Sequence, residues 1–186
     1  VAEYVFAVVN PSAAATTPTL TATVASPLST PAALTKTGRG TLVLSSVNAA
    51  GGGAFPTVLN EGVLQIADFD NIGGNTGALV FGGGTLRLAA GFNDSIILRP
   101  IDIREGGATL DLGADVSIPA GLGAGPGGFT KLGTGALTLG ASAAYQGATT
   151  VAGPLTFGAV RALPDGTALT LGVGTLQGSV NFGAFD

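Results

Sequence analysis

Leucine recurs along this chain at a spacing that no single helix or strand would impose. A short unit of glycine, one small residue, leucine, a variable residue and a second apolar residue returns at Leu42, Leu64, Leu86, Leu110, Leu137, Leu155 and Leu176. The intervals are 22, 22, 24, 27, 18 and 21 residues. Inside a unit such as Gly40-Thr41-Leu42-Val43-Leu44 apolar residues alternate with period 2, the mark of a strand with one buried face. Glycine interrupts every longer apolar run, so no 3.6-residue period survives and helices drop out as main elements. A strand-bearing unit that repeats every 20 to 30 residues or so predicts a solenoid, each repeat one coil stacked on the last. The expected fold is all-β: a parallel β-solenoid with its strands stacked at about 4.8 Å per coil.

That stacking gives the apolar positions a shared address. Leu42, Leu64, Leu86, Leu110, Leu137, Leu155 and Leu176 are expected to form one interior column. Leu44, Ile66, Leu88, Leu112, Leu139 and Phe157 are its neighbour. The residues between them (Val43, Gln65, Arg87, Asp111, Thr138 and Thr156) then point outward, and they are variable or polar. Gly178 breaks the second column and predicts fraying or a cap near it.

A longer repeat lies over the short one. "TKTGRGTLVLS" (35 to 45) and "TKLGTGALTLG" (130 to 140) share six of eleven positions, Lys36 and Lys131 among them. The likeness continues from 61 to 88 along 152 to 178, through Gly62/Gly153, Leu64/Leu155, Leu79/Leu169, Gly84/Gly174 and Leu86/Leu176. The offset falls from 95 to 90, as small loop deletions would produce. Two related blocks, 34–88 and 129–178, therefore lie within a solenoid over 34–186. The paired lysines predict a repeated structural role, an aliphatic stem carrying its charge to a turn carbonyl.

"LTKTGRGTLVLSSVNAAGGGAFPTVLNEGVLQI" and "FTKLGTGALTLGASAAYQGATTVAGPLTF" resemble the passenger-associated repeat of bacterial autotransporters. The shared features are a Lys, spaced glycines, a Leu-x-Leu strand, a glycine-rich turn and a second glycine-leucine strand. The resemblance covers half to two thirds of the chain. It implies a secreted bacterial surface protein built as a right-handed parallel β-helix. Two departures stand out: the translocating barrel that follows such passengers is not among these 186 residues, and residues 1–33 carry no recognisable repeat.

Residues 1–33 contain four prolines, at 11, 18, 27 and 31, and almost no glycine. Proline at that spacing argues for extended chain rather than helix. This segment is expected either to cap the first coil, whose open edge would otherwise aggregate, or to pair as an added strand with a neighbouring subunit. Tyr4, Val5, Phe6, Val8 and Val9 are the candidate assembly residues.

Composition narrows the function. Charged residues make up only 10% of the chain, and there are 32 glycines; mean hydropathy is +0.53. A free monomer of this kind is expected to dissolve poorly. A membrane span needs about 20 consecutive apolar residues, and the best run here is "VFAVV" at 5 to 9. A transmembrane barrel would carry aromatic girdles, against no Trp and two Tyr here. The chain starts at Val1 rather than Met, which leads to the expectation that a leader has been removed. With no Cys and no His, disulfides, thiolate sites, the commonest general base and the commonest metal ligand are all missing. Net charge is −4, thinly spread, so no basic track exists for nucleic acid.

Three clusters carry residue types that chemistry could use. Asp68, Asp70, Asn71 and Asn75 are spaced loosely like a calcium loop, but Ile72 and Gly73 stand where further oxygens are needed; a plain solenoid turn is the reading taken. Asp102, Arg104, Glu105 and Asp111, with Arg87 and Arg99 near, have the residue types of an acidic-polysaccharide groove; they are read instead as solvated charges on an outer face. Asn93-Asp94-Ser95 has the glycosylation pattern and carries little weight in a bacterium. The sequence therefore predicts no enzyme and no cofactor. It predicts a secreted, cell-surface structural protein whose partners are copies of itself, stacked head to tail into a fibre, sheath or layer. The alternative is the stalk or adhesive piece of an autotransporter-like adhesin, meeting a host or neighbouring-cell surface.

Overall fold

The computed structural model describes residues 2–9 and 20–172. Sixteen short strands follow one another with no α-helix among the described residues. They are β1 (Glu3–Ala7), β2 (Thr21–Val24), β3 (Ala33–Thr37), β4 (Thr41–Leu44), β5 (Thr57–Leu59), β6 (Val63–Ile66), β7 (Leu79–Phe81) and β8 (Thr85–Leu88). The series continues with β9 (Ile101–Ile103), β10 (Ala108–Leu112), β11 (Val116–Ile118), β12 (Phe129–Leu132), β13 (Leu137–Leu139), β14 (Thr149–Val151), β15 (Leu155–Phe157) and β16 (Leu169–Leu171). All pair in parallel, in three sheets: A (β1-β3-β5-β7-β9), B (β2 through β16, every even strand) and C (β11-β13-β15). Sheet B has eight strands, so the chain circles about seven times. This is a parallel β-solenoid.

Alternation fills the interior. In β6 and β8 the inward residues Leu64, Ile66, Leu86 and Leu88 are buried, while Val63, Gln65, Thr85 and Arg87 face out half-exposed. Sheet B stacks Leu42, Leu64, Leu86 and Leu110 in register. It also stacks Ile66, Leu88 and Leu112 in register. The outer column Val43, Gln65, Arg87 and Asp111 lies in register beside them.

The column does not run on to Leu137 as the sequence spacing implied. Leu110 pairs with Lys131, and Lys131 with Val151. Leu137 and Leu139 stack instead on Val116 and Ile118 in sheet C, under Leu155 and Phe157. The physical reason is the 27-residue interval from Leu110 to Leu137. One coil at this point is 21 residues (Leu110 to Lys131), and the remaining six carry the chain round a corner to the next face. The second repeat block is therefore turned by one face: its "FTKL" strand lies on sheet B, while the matching "ALTKT" strand of the first block lies on sheet A. Leu176 and Gly178 lie outside the described residues.

Within the described part of residues 1–33, β1 and β2 lie as a further layer on the stack. β1 pairs with β3 over five residues, and β2 with β4 over four. Val8 is buried at the end of the core.

Sheet A ends where strand gives way to "GLGAGPGG" (121–128), a glycine strip laid against β9. A Cβ added at Gly123 or Gly125 would overlap the carbonyl oxygens of Ile101 and Ile103. At Gly125 φ is +148° as well, a conformation that L side chains rarely adopt. Gly125→Ala therefore meets both a clash and a strained backbone. It is expected to cost about 2–3 kcal/mol, read as a fall in urea midpoint; a midpoint within error of the parent would contradict the close approach.

Candidate functional site: buried cations and the outward faces

A solenoid corner turns the chain sharply and leaves carbonyl oxygens pointing into the interior. Those acceptors need donors, because a buried orphan costs about 1–3 kcal/mol. Three fully buried cations supply them: Lys36, Lys131 and Arg99, each with 1% or less of its surface exposed.

Lys36 lies inward on β3, and its Nζ donates to the carbonyls of Thr37 (2.8 Å), Gly38 (2.5 Å) and Glu61 (3.1 Å). It thus ties one corner to the coil above. Burial lowers its pKa, and the charge of Glu61 pulls the other way. Lys131, its equivalent on β12, donates to Gly133 O at 2.8 Å. Burial lowers its pKa too, against Asp111 and Asp115. Both side chains do what their repeated position implied. Lys36→Leu is expected to lose about 2–4 kcal/mol, because it strands Gly38 O and Glu61 O, whereas Thr37 O keeps the N–H of Val8. Lys131→Leu joins the apolar column between Leu110 and Val151, strands one, and should cost about 1 kcal/mol. Chemical denaturation of the two variants checks the order, and equal losses would contradict it.

Arg99 was read from sequence as a surface charge, and the structure puts it inside. Its guanidinium donates to the carbonyls of Ile72 (3.0 Å), Gly74 (3.1 Å), Gly77 (3.0 Å), Gly51 (2.5 Å) and Ala78 (3.5 Å), and to Thr57 Oγ1 (3.1 Å). Five main-chain oxygens from two successive turns converge on one planar fork. Burial pushes its pKa down to about 10.

The rest of the suspected groove is divided. Arg87 and Asp111 form an ion pair on sheet B at 2.7 Å. Asp102 lies on β9 of sheet A, and Arg104 approaches it at 3.8 Å from the adjoining turn. Different faces hold the two pairs.

The "DFDNIGGN" loop is a corner with a short 3-10 turn, Phe69–Ile72. Asp68 caps it and accepts from Asp70 N at 2.8 Å. Asn71 is buried, accepts from Ala67 N and Asp68 N, and donates to Ser46 O. Asn48 repeats the arrangement one coil earlier, accepting from Leu28 N and donating to Asn71 O. Asn75 donates to Ile96 O and accepts from Leu98 N, so its amide stands in for a neighbouring strand. Asn71 and Asn75 are thus engaged by main chain, and Asp68 by main chain and Asn93. Among the described residues no three acidic side chains gather to hold a metal.

Tyr145 is buried against Phe129, with its hydroxyl 2.5 Å from Thr149 Oγ1. Burial raises its pKa, with the Thr149 hydrogen bond opposing. The folded state thus keeps a proton that the unfolded chain gives up from pH 10 upward. Stability that is intact below pH 10 is lost as pH rises through that value toward the raised one. Urea midpoints measured between pH 9 and 11 should fall less steeply for Tyr145→Phe than for the parent; parallel slopes would contradict the burial.

Of the five assembly candidates, Tyr4 and Phe6 face inward and pack against the core, and Val8 is buried. Val5 and Val9 are exposed, at 58% and 60%, with Leu20 near them in sequence order in the same layer at 49%. Among the described residues no helix is long and apolar enough to cross a membrane.

Residues 34–66 and 129–153 match the family model described as a passenger-associated-transport-repeat. The first match spans β3 to β6 and the second β12 to β14, so each contains one of the buried lysines. Over 121 residues the chain is 36% identical to the adhesin BmaC autotransporter of Brucella suis biovar 1 (strain 1330), an alignment covering 64% of this chain and 3% of that protein. No solved structure matches.

Proposed function

Because the chain carries two repeats of the autotransporter passenger family, and is on that kinship secreted or surface-exposed, we propose that it is a structural segment of an adhesin-like passenger. In this reading its coils form a stiff spacer that holds outward faces clear of the cell, and it catalyses nothing. The observation that carries the proposal is the placement of the two family matches on stacked coils. Each contains a buried lysine whose Nζ donates to a corner carbonyl. The similarity to a protein named as an adhesin autotransporter supports it, although the matched stretch is 3% of that relative. The test is display of the chain ahead of a translocating barrel in a non-adherent bacterium. Intact cells should bind antibody against the chain and gain adherence to host cells. Retention in the periplasm would sink the passenger reading, and display without adherence would reduce it to a spacer alone.

End-to-end self-assembly is the second reading, favoured by the exposed Val5, Val9 and Leu20 on the first layer. A coil stacked there would extend the same ladder, and a head-to-tail contact that does not close gives a filament. Negative-stain microscopy of the purified chain should then show filaments that Val5→Lys with Val9→Lys abolishes. Dispersed short rods from the parent would retire it.

A further inference from the structure

Seven residues of the chain are basic, and the fold shields six of them from an enzyme that needs an extended peptide. Lys36, Lys131 and Arg99 are buried. Arg87 lies within β8, paired on both sides. Arg39 sits in a tight corner between Gly38 and Gly40, both packed on the backbone of the preceding coil. Arg104 opens a turn closed by Gly107 N donating to its carbonyl at 2.8 Å, while its own N–H is bonded to Phe81 O.

Arg161 lies outside any strand, and the buried side chain after it, Ala162 at 3% exposed, is a small one that must leave the core for cleavage. The arginine lies in the eleven residues between β15 and β16, with 69% of its side chain exposed and only a loose ion pair to Asp165 at 3.4 Å. Val160 beside it is 76% exposed. Among the described residues Arg161 is the one non-glycine residue with positive φ, at 58°, a strained conformation for a side chain of this kind. Two longer bonds hold the segment, Ala143 N to Arg161 O (3.1 Å) and Ser142 Oγ to Val160 O (3.3 Å). Passing into the extended form that a protease cleft demands would relieve the strained φ. Exposed loop tips of this kind are where chains are nicked.

We propose that the Arg161–Ala162 peptide bond is a processing site for an arginine-specific, trypsin-class endopeptidase. Water adds across that bond: the carbonyl carbon of Arg161 takes the hydroxyl and becomes a carboxylate, and the nitrogen of Ala162 takes the proton and becomes a free amine. The arginine reads into an acidic specificity pocket. The cut leaves the last described strand attached through the three-residue β14–β16 ladder, on a strand whose outer residues are exposed. Processing there therefore loosens the last described coil and leaves the earlier ones intact. Meeting such an enzyme in life rests on the surface location, whereas susceptibility of the bond does not.

The test is a time course of the native, full-length chain with trace trypsin, followed by intact mass. The first products should end at Arg161 and begin at Ala162. Arg161→Asn, which tolerates the left-handed backbone, should abolish that early pair while leaving the circular dichroism melt unchanged. Arg161→Lys should remain a trypsin substrate and resist an endopeptidase that accepts arginine alone. A first cut after Arg39, Arg87 or Arg104, or a chain that stays whole until it is denatured, overturns the proposal. Success with trypsin alongside failure of cell-surface display would leave the site standing and the passenger reading fallen.

Discussion

Arg99→Met is expected to lose about 4 kcal/mol of stability and to lower the thermal midpoint by roughly 8–16 °C. The arithmetic is that of stranded acceptors. The guanidinium serves five carbonyl oxygens and the Thr57 hydroxyl around the turns from β4 to β5 and from β6 to β7; Ala78 O also accepts from Thr57 N, so four carbonyls depend on the arginine. Each buried carbonyl left without a donor costs about 1–3 kcal/mol, partly relieved by water or relaxation. A buried ion pair replaced whole by apolar groups is often neutral, because both partners leave together. Here the partners are main chain and stay behind, so the loss is not cancelled. Arg99→Lys keeps the charge with three donors in place of a planar fork, and belongs between parent and Arg99→Met. Urea denaturation of the three proteins decides the matter. Arg99→Met within 1 kcal/mol of the parent would mean that those carbonyls find other donors.

The sequence alone could not have placed Arg99. It stands in "SIILRPID", outside both repeat blocks, so no equivalent position hints at a role, and a lone arginine is ordinarily a surface charge. Lys36 and Lys131 were legible because they occur twice: a residue that returns at the same point of a structural repeat serves the repeat. The strands were legible for a similar reason, since period-2 alternation between glycines leaves a chain little else to do. The change of face was hidden in one number, the 27-residue step from Leu110 to Leu137. Leucine-to-leucine spacing counts residues along the chain and not corners around the coil, so a step of one coil plus a corner resembles a long coil. The first layer was hidden for the opposite reason. β1 and β2 have no glycine-leucine unit, and only their register against β3 and β4 reveals them as part of the stack. Tyr4 and Phe6 face inward there, which removes them from the list of residues free to meet another chain.

Leu64→Asp should abolish the cooperative unfolding transition altogether, and its contrast with Leu64→Lys tests what kind of interior this is. Leu64 is fully buried and stacked between Leu42 and Leu86. A carboxylate there gives up its hydration with no donor facing it, a cost of several kcal/mol that protonation only partly relieves. The buried cations of this core find their partners among corner carbonyl oxygens, which accept and cannot donate. For that reason the fully buried charges among the described residues are Lys36, Lys131 and Arg99, all cations. Lys131 already occupies a column position, in register with Leu110, and reaches a corner carbonyl two residues on. A lysine at 64 has the same stem length and the same kind of acceptor to seek, so Leu64→Lys should fold with a reduced midpoint where Leu64→Asp does not fold. Gln65→Asp supplies the register control: it points outward beside Arg87 and should stay within about 0.5 kcal/mol of the parent. Circular dichroism and urea midpoints at pH 7 read all three. If the aspartate and lysine variants at 64 prove equally destabilised, the corner carbonyls do not set the sign of charge that this core admits.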